Sequence, residues 1–479
     1  MSKKLHPNDI PVLAKIFNPD STLIWVFLAK KDYAHYRAIP DKLDSTLHLF
    51  SHFFDLQKAW KDKTNAAAIT LINLSNQKID WQLFIPKNDL VILDFNSPLS
   101  HSKWQFDCIN NPNGTIRWIY PSLLKKTIFL NLYNGSGWKG KIIEQGFKLG
   151  FKVGLKGWLK SNSFQVIAQK LFLDNINKSL NQSNYAIFTG TVGINRKAVI
   201  SFEENGRATQ FMKLPLTQSA HQLVKQEHKW LKGLASYQFH HLGVPKAKKI
   251  DKGLMLTNIK PQVPLSNNCL TPKHLLALQE LYQQTSIPMI LSSTKVWTSI
   301  QQDIASLKEN TIVNNLSKTK VHQIHELLSK LIQTFNPSDL YPMSIAHGDL
   351  TPWNSYLSAQ KLQVYDWELA EQLPLLYDAF HFIFQTSILV NKLPFKAIKT
   401  QIDQLSHSPI VQAILTQYHL DFQHAYRFYL LRNTSYYLSR YIQQEQLHIQ
   451  AHWLVETWSE ALKQLPTIKE VVKIKGESP

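Results

Sequence analysis

Cysteine is almost absent from this chain of 479 residues, which holds only Cys108 and Cys269. Two are too few for a disulfide framework or a zinc knuckle. No apolar run approaches the roughly 18 residues that a membrane-spanning helix needs. The opening Met1-Ser2-Lys3-Lys4-Leu5-His6-Pro7 lacks the apolar core of a secretory leader. The expected location is therefore cytoplasmic, where an Asn-x-Ser/Thr triplet such as Asn134-Gly135-Ser136 carries no meaning. Internal repeats and low-complexity stretches are also missing. Residues 1–130 contain no glycine-rich phosphate loop, metal cluster or nucleophile motif, so they leave the role of that segment open.

Acidic residues are scarce as well, with 34 Asp and Glu against 53 Lys and Arg, a formal charge of +19. Residues 337–479 carry 11 basic and 13 acidic side chains, so the basic excess lies upstream. Its densest part is 137–160, with six lysines and a single acid, Glu144. There Ile143, Phe147, Phe151, Leu155 and Leu159 form one helical stripe, and Lys148, Lys152, Lys156 and Lys160 form a second beside it. The period is ambiguous, because residues 147–155 also alternate as a strand would, and Gly146, Gly150 and Gly154 each cost a helix about 1 kcal/mol. A basic amphipathic helix suits an anionic membrane surface or another polyanion, and it suits equally well a solvated helix packed by one face on its own domain. The same charge would serve nucleic acid, but without a recognition motif or dispersed stacking aromatics no specific nucleic-acid recognition is expected.

What is present is a motif. Residues 347–354 read His-Gly-Asp-Leu-Thr-Pro-Trp-Asn, and Asp366-Trp367-Glu368 follows. Five fixed positions in such a window arise by chance with probability on the order of 10⁻⁴. Phosphoryl transfer needs a carboxylate to orient the attacking hydroxyl and oxygen ligands to hold Mg²⁺ against nucleotide phosphates. Asp349, Asn354 and Asp366 supply that set, and an Asp and an Asn five residues apart on one loop can face a common point.

Over about residues 185–465 these motifs resemble the aminoglycoside phosphotransferase and choline kinase family. The resemblance implies an α+β, bilobal protein-kinase-like fold, with a small β-rich lobe and a large helical lobe, preceded here by an additional α/β N-terminal domain. It implies ATP and Mg²⁺ as cofactors, Asp349 with His347 in the catalytic loop, and Asn354 and Asp366 on the metal. A glycine-bearing hairpin turn over the phosphates falls on Gly190, Thr191 and Gly193. The phosphate-binding lysine falls on Lys213, with Lys197 as a rival, and its helix partner on Glu227. The backbone from Thr257 to Ile259 falls at the interlobe hinge, facing an adenine edge. Asp378 either holds the catalytic-loop backbone or is an acid at a helix N-terminus. His381 reads as a satisfied core histidine, and His240 and His241 as turn residues rather than a metal pair. Glu368 departs from protein kinases, which place glycine there, but fits the small-molecule family.

The expected segments are an α/β domain at 1–130, a basic connecting segment at 131–180, an N-lobe at 181–262, a C-lobe at 263–470 and a frayed tail at 471–479. Strands are expected at 23–28, 68–74, 81–85 and 90–95, a hairpin joining 104–109 to 115–120 through Asn113-Gly114, and a helix at 44–61. Further helices are expected at 271–285, 295–307, 318–335 and from 377 onward. The implied activity is γ-phosphoryl transfer from ATP to a hydroxyl of a small molecule or sugar-like acceptor. Transfer to a protein side chain, nucleotidyl transfer, or a non-catalytic kinase-like scaffold binding a polyanion are the alternatives. The nearly neutral C-terminal lobe lacks the acidic excess that would grip a polycationic aminoglycoside.

Overall fold

A computed structural model describes residues 5–37, 45–62, 68–75, 77, 84, 90–95, 104–124, 126–132, 138–180, 184–205, 207–309, 314–444 and 447–465. They form two compact units, one from 1–229 and 246–258, the other from 230–245 and 259–479. The content is mixed α and β, as expected.

The first unit begins as α/β. Helices α1 (Asp9–Phe17), α2 (Tyr33–Arg37) and α3 (Phe53–Asp62) accompany strands β1 (Leu23–Phe27), β2 (Thr46–Phe50), β3 (Ile69–Asn73) and β4 (Leu90–Asp94). The four strands run parallel in the order β2-β1-β3-β4. Strands β3 and β4 are buried at every position because both faces of the sheet are covered. Alternate residues serve opposite faces. Ile24 and Val26 join Leu13 and Phe17 of α1 in one core, while Trp25 and Phe27 join Leu56 of α3 in another. The helix expected at 44–61 is instead β2 followed by α3. Thr46–Phe50 alternates in polarity and pairs with β1, a nonlocal contact that outweighs helical spacing. The strand expected at 81–85 lies outside the described residues except Phe84.

Next come the expected hairpin of β5 (Trp104–Asn110) and β6 (Ile116–Pro121), then α4 (Trp138–Lys152), α5 (Lys156–Leu159), β7 (Asn162–Ile167) and α6 (Phe172–Ser179). Strands β8 (Asn184–Phe188), β9 (Lys197–Glu204) and β10 (Arg207–Pro215) lead to α7 (Gln218–Leu234). After a passage through the second unit, where β11 (Leu242–Gly243) forms, the chain returns as β12 (Ala247–Ile250) and β13 (Gly253–Thr257). All strands of the first unit belong to one twelve-stranded sheet, ordered β12-β13-β10-β9-β8-β6-β5-β7-β4-β3-β1-β2.

That sheet alters the expected division of the chain. Strand β6 pairs with β8 through Trp118–Phe188 and Ile119–Ile187, so the α/β segment is not a separate body. Residues 131–180 are not a linker either, since β7 pairs with both β4 and β5. One core runs from Phe17 through Phe106 and Tyr185 to Phe202 and Met212. The passage between units expected near 262 falls between Asn258 and Ile259. The tail at 471–479 lies outside the described residues.

The ambiguous basic segment is helical. Phe147 and Phe151 pack α4 against Trp118, Tyr120 and Phe129, with ring centroids 5.6–6.1 Å apart. Burying a side chain such as Phe151 contributes about 1.5–3 kcal/mol, enough to offset the glycine cost. A Cβ on Gly150 would meet Leu159 Cδ1 at 2.7 Å, so that glycine lets α5 close on α4. No helix of the described residues is long and apolar enough to cross a membrane.

The second unit is mostly helical, as the spacing predicts. It contains α8 (Pro272–Thr285), β14 (Ile287–Ile290), α9 (Lys295–Glu309), α10 (Lys318–Ile332), β15 (Leu340–Ala346), β16 (Ser355–Leu357), β17 (Leu362–Val364) and β18 (Glu371–Pro374). Then follow α11 (Tyr377–Gln385), α12 (Phe395–Ser406), α13 (Pro409–Gln417), α14 (Phe422–Tyr441) and α15 (Ile449–Lys463). Strands β14, β15 and β18 form one small antiparallel sheet, and β11, β17 and β16 another.

Candidate active site

In the second unit, β15 delivers its C-terminus into the loop 347–354, and β16 and β17 bring the chain back at Asp366. Asp378, in the first turn of α11, fixes the loop. Its carboxylate accepts the N–H of His347 at 2.7 Å and of Gly348 at 3.0 Å. It therefore holds the loop backbone while also lying at a helix N-terminus, and the two readings open from the sequence describe one residue. Burial raises its pKa, opposed first by the nearby His347.

Asp349 is held by side chains from two directions. Asn354 Nδ2 donates to its Oδ2 at 2.9 Å and to its carbonyl at 3.0 Å. His381 Nε2 lies 3.0 Å from Oδ1, and His381 Nδ1 lies 3.2 Å from Asn433 Oδ1 on α14. Both carboxylate oxygens are thereby aimed, while the side chain keeps 26% of its surface exposed for an incoming hydroxyl. With its nitrogen committed to Asp349, Asn354 retains its amide oxygen as the atom able to take a metal.

His347 is engaged on both sides of its ring. It is buried, its Nε2 donates to Tyr365 O at 2.7 Å, and its Nδ1 accepts Asp349 N at 3.2 Å. Both ring nitrogens are used in bracing the loop around Asp349. Tyr365 N donates to Asn354 O at 2.8 Å, which ties the second carboxylate segment to the loop. Asp366 follows with φ of 65°, a left-handed conformation that Asp tolerates better than most residues. Gly348, with φ of 80°, could carry no Cβ, which would lie 2.3 Å from Leu369 O.

The backbone N–H groups at the expected hinge have partners within the chain. Thr257 N donates to Lys246 O, Asn258 N to Thr209 O, and Ile259 N to the Tyr365 hydroxyl. All three N–H groups expected to meet an adenine edge are thus already satisfied within the chain. His240 and His241 lie at the turn where the sequence expects them. Their backbone N–H groups donate to Glu280 at 2.5 and 2.7 Å, and both residues are exposed turn positions.

In the first unit, Lys213 on β10 meets Glu227 on α7 at 2.6 Å, and both are buried. The lysine–glutamate pair expected of Lys213 is thus present. The turn between β8 and β9 has φ of 81° at Gly190, where a Cβ would collide with Lys197 O at 2.0 Å. Thr191, Val192, Gly193, Ile194 and Asn195 are exposed. The base of the turn is anchored by Arg196 Nε, which donates to Thr189 O at 3.0 Å, and by Thr189 Oγ1, which donates to Ile116 O at 2.6 Å.

His381 and Asn433 are the functional residues whose role the sequence does not disclose. Asn433 sits 84 positions beyond Asp349, and only the packing of α11 against α14 links them. Arg432, beside it, meets Glu371 at 2.9 Å and steadies that helix. Tyr437 and Tyr441 lie within electrostatic reach of Asp349. Burial first, and then the Asp349 charge, raise both hydroxyl pKa values.

No protein-family model and no curated protein matches the chain. Among solved structures it is similar to the ADP-bound aminoglycoside phosphotransferase APH(2'')-Ib, at 14% identity and TM-score 0.38, over 60% of this chain and 98% of that one. It is likewise similar to the choline kinase LicA from Streptococcus pneumoniae, at 13% and 0.37, over 60% of this chain and 96% of that one. A Plasmodium vivax ethanolamine kinase matches at 12% and 0.39, over 60% of this chain and 84% of that one. Aminoglycoside phosphotransferases and choline and ethanolamine kinases are thus the proteins that the chain resembles in structure as well as in motif.

Proposed function

We propose that this protein is a phosphotransferase of protein-kinase-like fold that moves the γ-phosphoryl group of ATP to a hydroxyl of a small molecule or sugar-like acceptor. The observation that carries this reading is the aimed carboxylate of Asp349, gripped by Asn354 and His381 on a loop whose backbone Asp378 holds. Such preorganisation suits a base that must orient a hydroxyl and accept its proton as the bond to phosphorus forms. Lys213, kept extended by Glu227, neutralises phosphate charge, and the turn at Gly190, Thr191 and Gly193 presents backbone N–H groups to phosphate oxygens.

The residues fit a hard divalent cation. Asn354 offers an amide oxygen and Asp366 a carboxylate, and Mg²⁺ bound there would offset the charge on the β- and γ-phosphates. His381 is a positioning residue, since it touches Asp349 and not the reacting atoms. The site is expected to work in the cytoplasm, where ATP is available.

A nucleotide thermal-shift assay tests the reading. MgATP should raise the melting temperature of the wild type, and Asp366→Ala should remove the Mg²⁺-dependent part of the rise. A shift in the variant equal to that of the wild type would remove Asp366 from the metal and leave the phosphotransferase reading without its second ligand.

A further inference from the structure

We propose that α4 docks this protein on an anionic lipid bilayer, an interaction independent of the phosphotransferase reading. The helix has two faces with different fates. Phe147 and Phe151 are spent on the protein core. At 100° per residue, Ile142, Leu149 and Val153 fall in one row roughly 120–180° around the helix from those two rings. Each of the three exposes more than half of its surface, as does Leu155 just beyond the helix end. Exposed large aliphatics are costly in water, and four within fourteen residues form a patch rather than scattered singles.

The flank of that row identifies the occupant. Lys148 and Lys152 share the spacing of Leu149 and Val153, lie beside them and are exposed. The acid in this stretch, Glu144, pairs with Lys148 at 2.6 Å, so Lys152 carries the net positive charge of this flank. A row of three aliphatic side chains is too small to bury the roughly 800 Å² per partner of a stable protein interface. It is suited to the boundary between headgroups and acyl chains, with the long lysine stems reaching outward to the headgroups. The whole basic excess of the chain lies upstream of residue 337, which adds to the attraction toward such a surface.

The test is cosedimentation of the full-length protein with phosphatidylcholine vesicles, with and without phosphatidylserine, at low and high salt. Binding is expected to the phosphatidylserine vesicles alone and to weaken as salt rises. The double variant Lys148→Gln/Lys152→Gln should bind on the order of tenfold more weakly. Leu149→Ser/Val153→Ser should lose binding at all salt concentrations with little change in melting temperature, because these side chains expose 61% and 56% of their surface. Hydrogen exchange on the wild type gives a readout that needs no variant: vesicles should protect residues 142–155. Absence of binding to phosphatidylserine vesicles, wild-type binding by both variants, or protection elsewhere would each overturn the proposal. So would a wild-type dimer that Leu149→Ser/Val153→Ser dissolves without any vesicle binding.

Discussion

The loop after β15 and the turn after β8 serve the same proposed reaction but are built in opposite ways. In the loop, Asp349 is reached by Asn354 and His381, and the adjacent backbone by Asp378, at 2.7–3.0 Å. In the turn, the base is fastened through Arg196 and Thr189, and the returning arm through Thr217 Oγ1 to Ile194 O and Ser219 Oγ to Asn195 Oδ1, while the Val192 side chain at the tip stands in solvent. A base that must meet its hydroxyl within a fraction of an ångström gains from being fixed before substrate arrives. A cover for phosphates must let nucleotide in and out, and its exposed tip suits that.

Substitutions can break this contrast at graded cost. The largest effect is expected from Asp349→Asn, which keeps the shape and removes the base. Turnover should fall about 10²–10⁴-fold while nucleotide affinity stays within a few-fold, read from steady-state kinetics and nucleotide titration. Asp378→Ala comes next, because it leaves two buried N–H groups without an acceptor. A loss of about 2–6 kcal/mol of unfolding free energy is expected in denaturant titration, accompanied by loss of turnover. An effect below about 1 kcal/mol would mean that the loop is held by other contacts.

His381→Phe sharpens the comparison, since it keeps a ring against Tyr377 and Tyr437 but removes the hydrogen bond to Asp349. The expected result is about a tenfold fall in kcat with unchanged nucleotide KM, and partial recovery in His381→Gln. A purely structural role would show as lost stability without that split.

The smallest expected effect belongs to the support of the turn. Asp9 on α1 accepts Ile116 N at 2.9 Å, and Ile116 O in turn accepts Thr189 Oγ1. Burial raises the Asp9 pKa from 3.8 to about 7, opposed by the Ile116 amide and by the charge of Arg196. A carboxyl whose folded pKa lies above its unfolded value favours folding at low pH and loses that contribution as pH climbs from 3.8 through about 7. Relative to Asp9→Asn, the wild type should therefore lose stability across that window, with a melting temperature measured as a function of pH. Equal slopes in the two proteins would show that Asp9 does not titrate there.

The sequence disclosed what depends on short spacing. Asp349, Asn354 and Asp366 lie within eighteen residues, and Lys213 and Glu227 are a strand end and a helix apart. Their pairing at 2.6 Å could be anticipated but not measured. It concealed what depends on distant packing: the pairing of β6 with β8, the parallel partner of Thr46–Phe50, and Asn433 behind His381. The period of residues 147–155 is undecidable from sequence because apolar residues alternate with lysines and glycines. Packing of Phe147 and Phe151 on Trp118, Tyr120 and Phe129 selects the helix.

The proposed chemistry is tested most directly by following ATP and a panel of hydroxyl acceptors by phosphorus NMR in the presence of Mg²⁺ and the protein. The account predicts ADP together with a new phosphate monoester on the acceptor, both lost in Asp349→Asn. Release of pyrophosphate with a nucleotidyl adduct, or the same monoester formed at undiminished rate by Asp349→Asn, would contradict it.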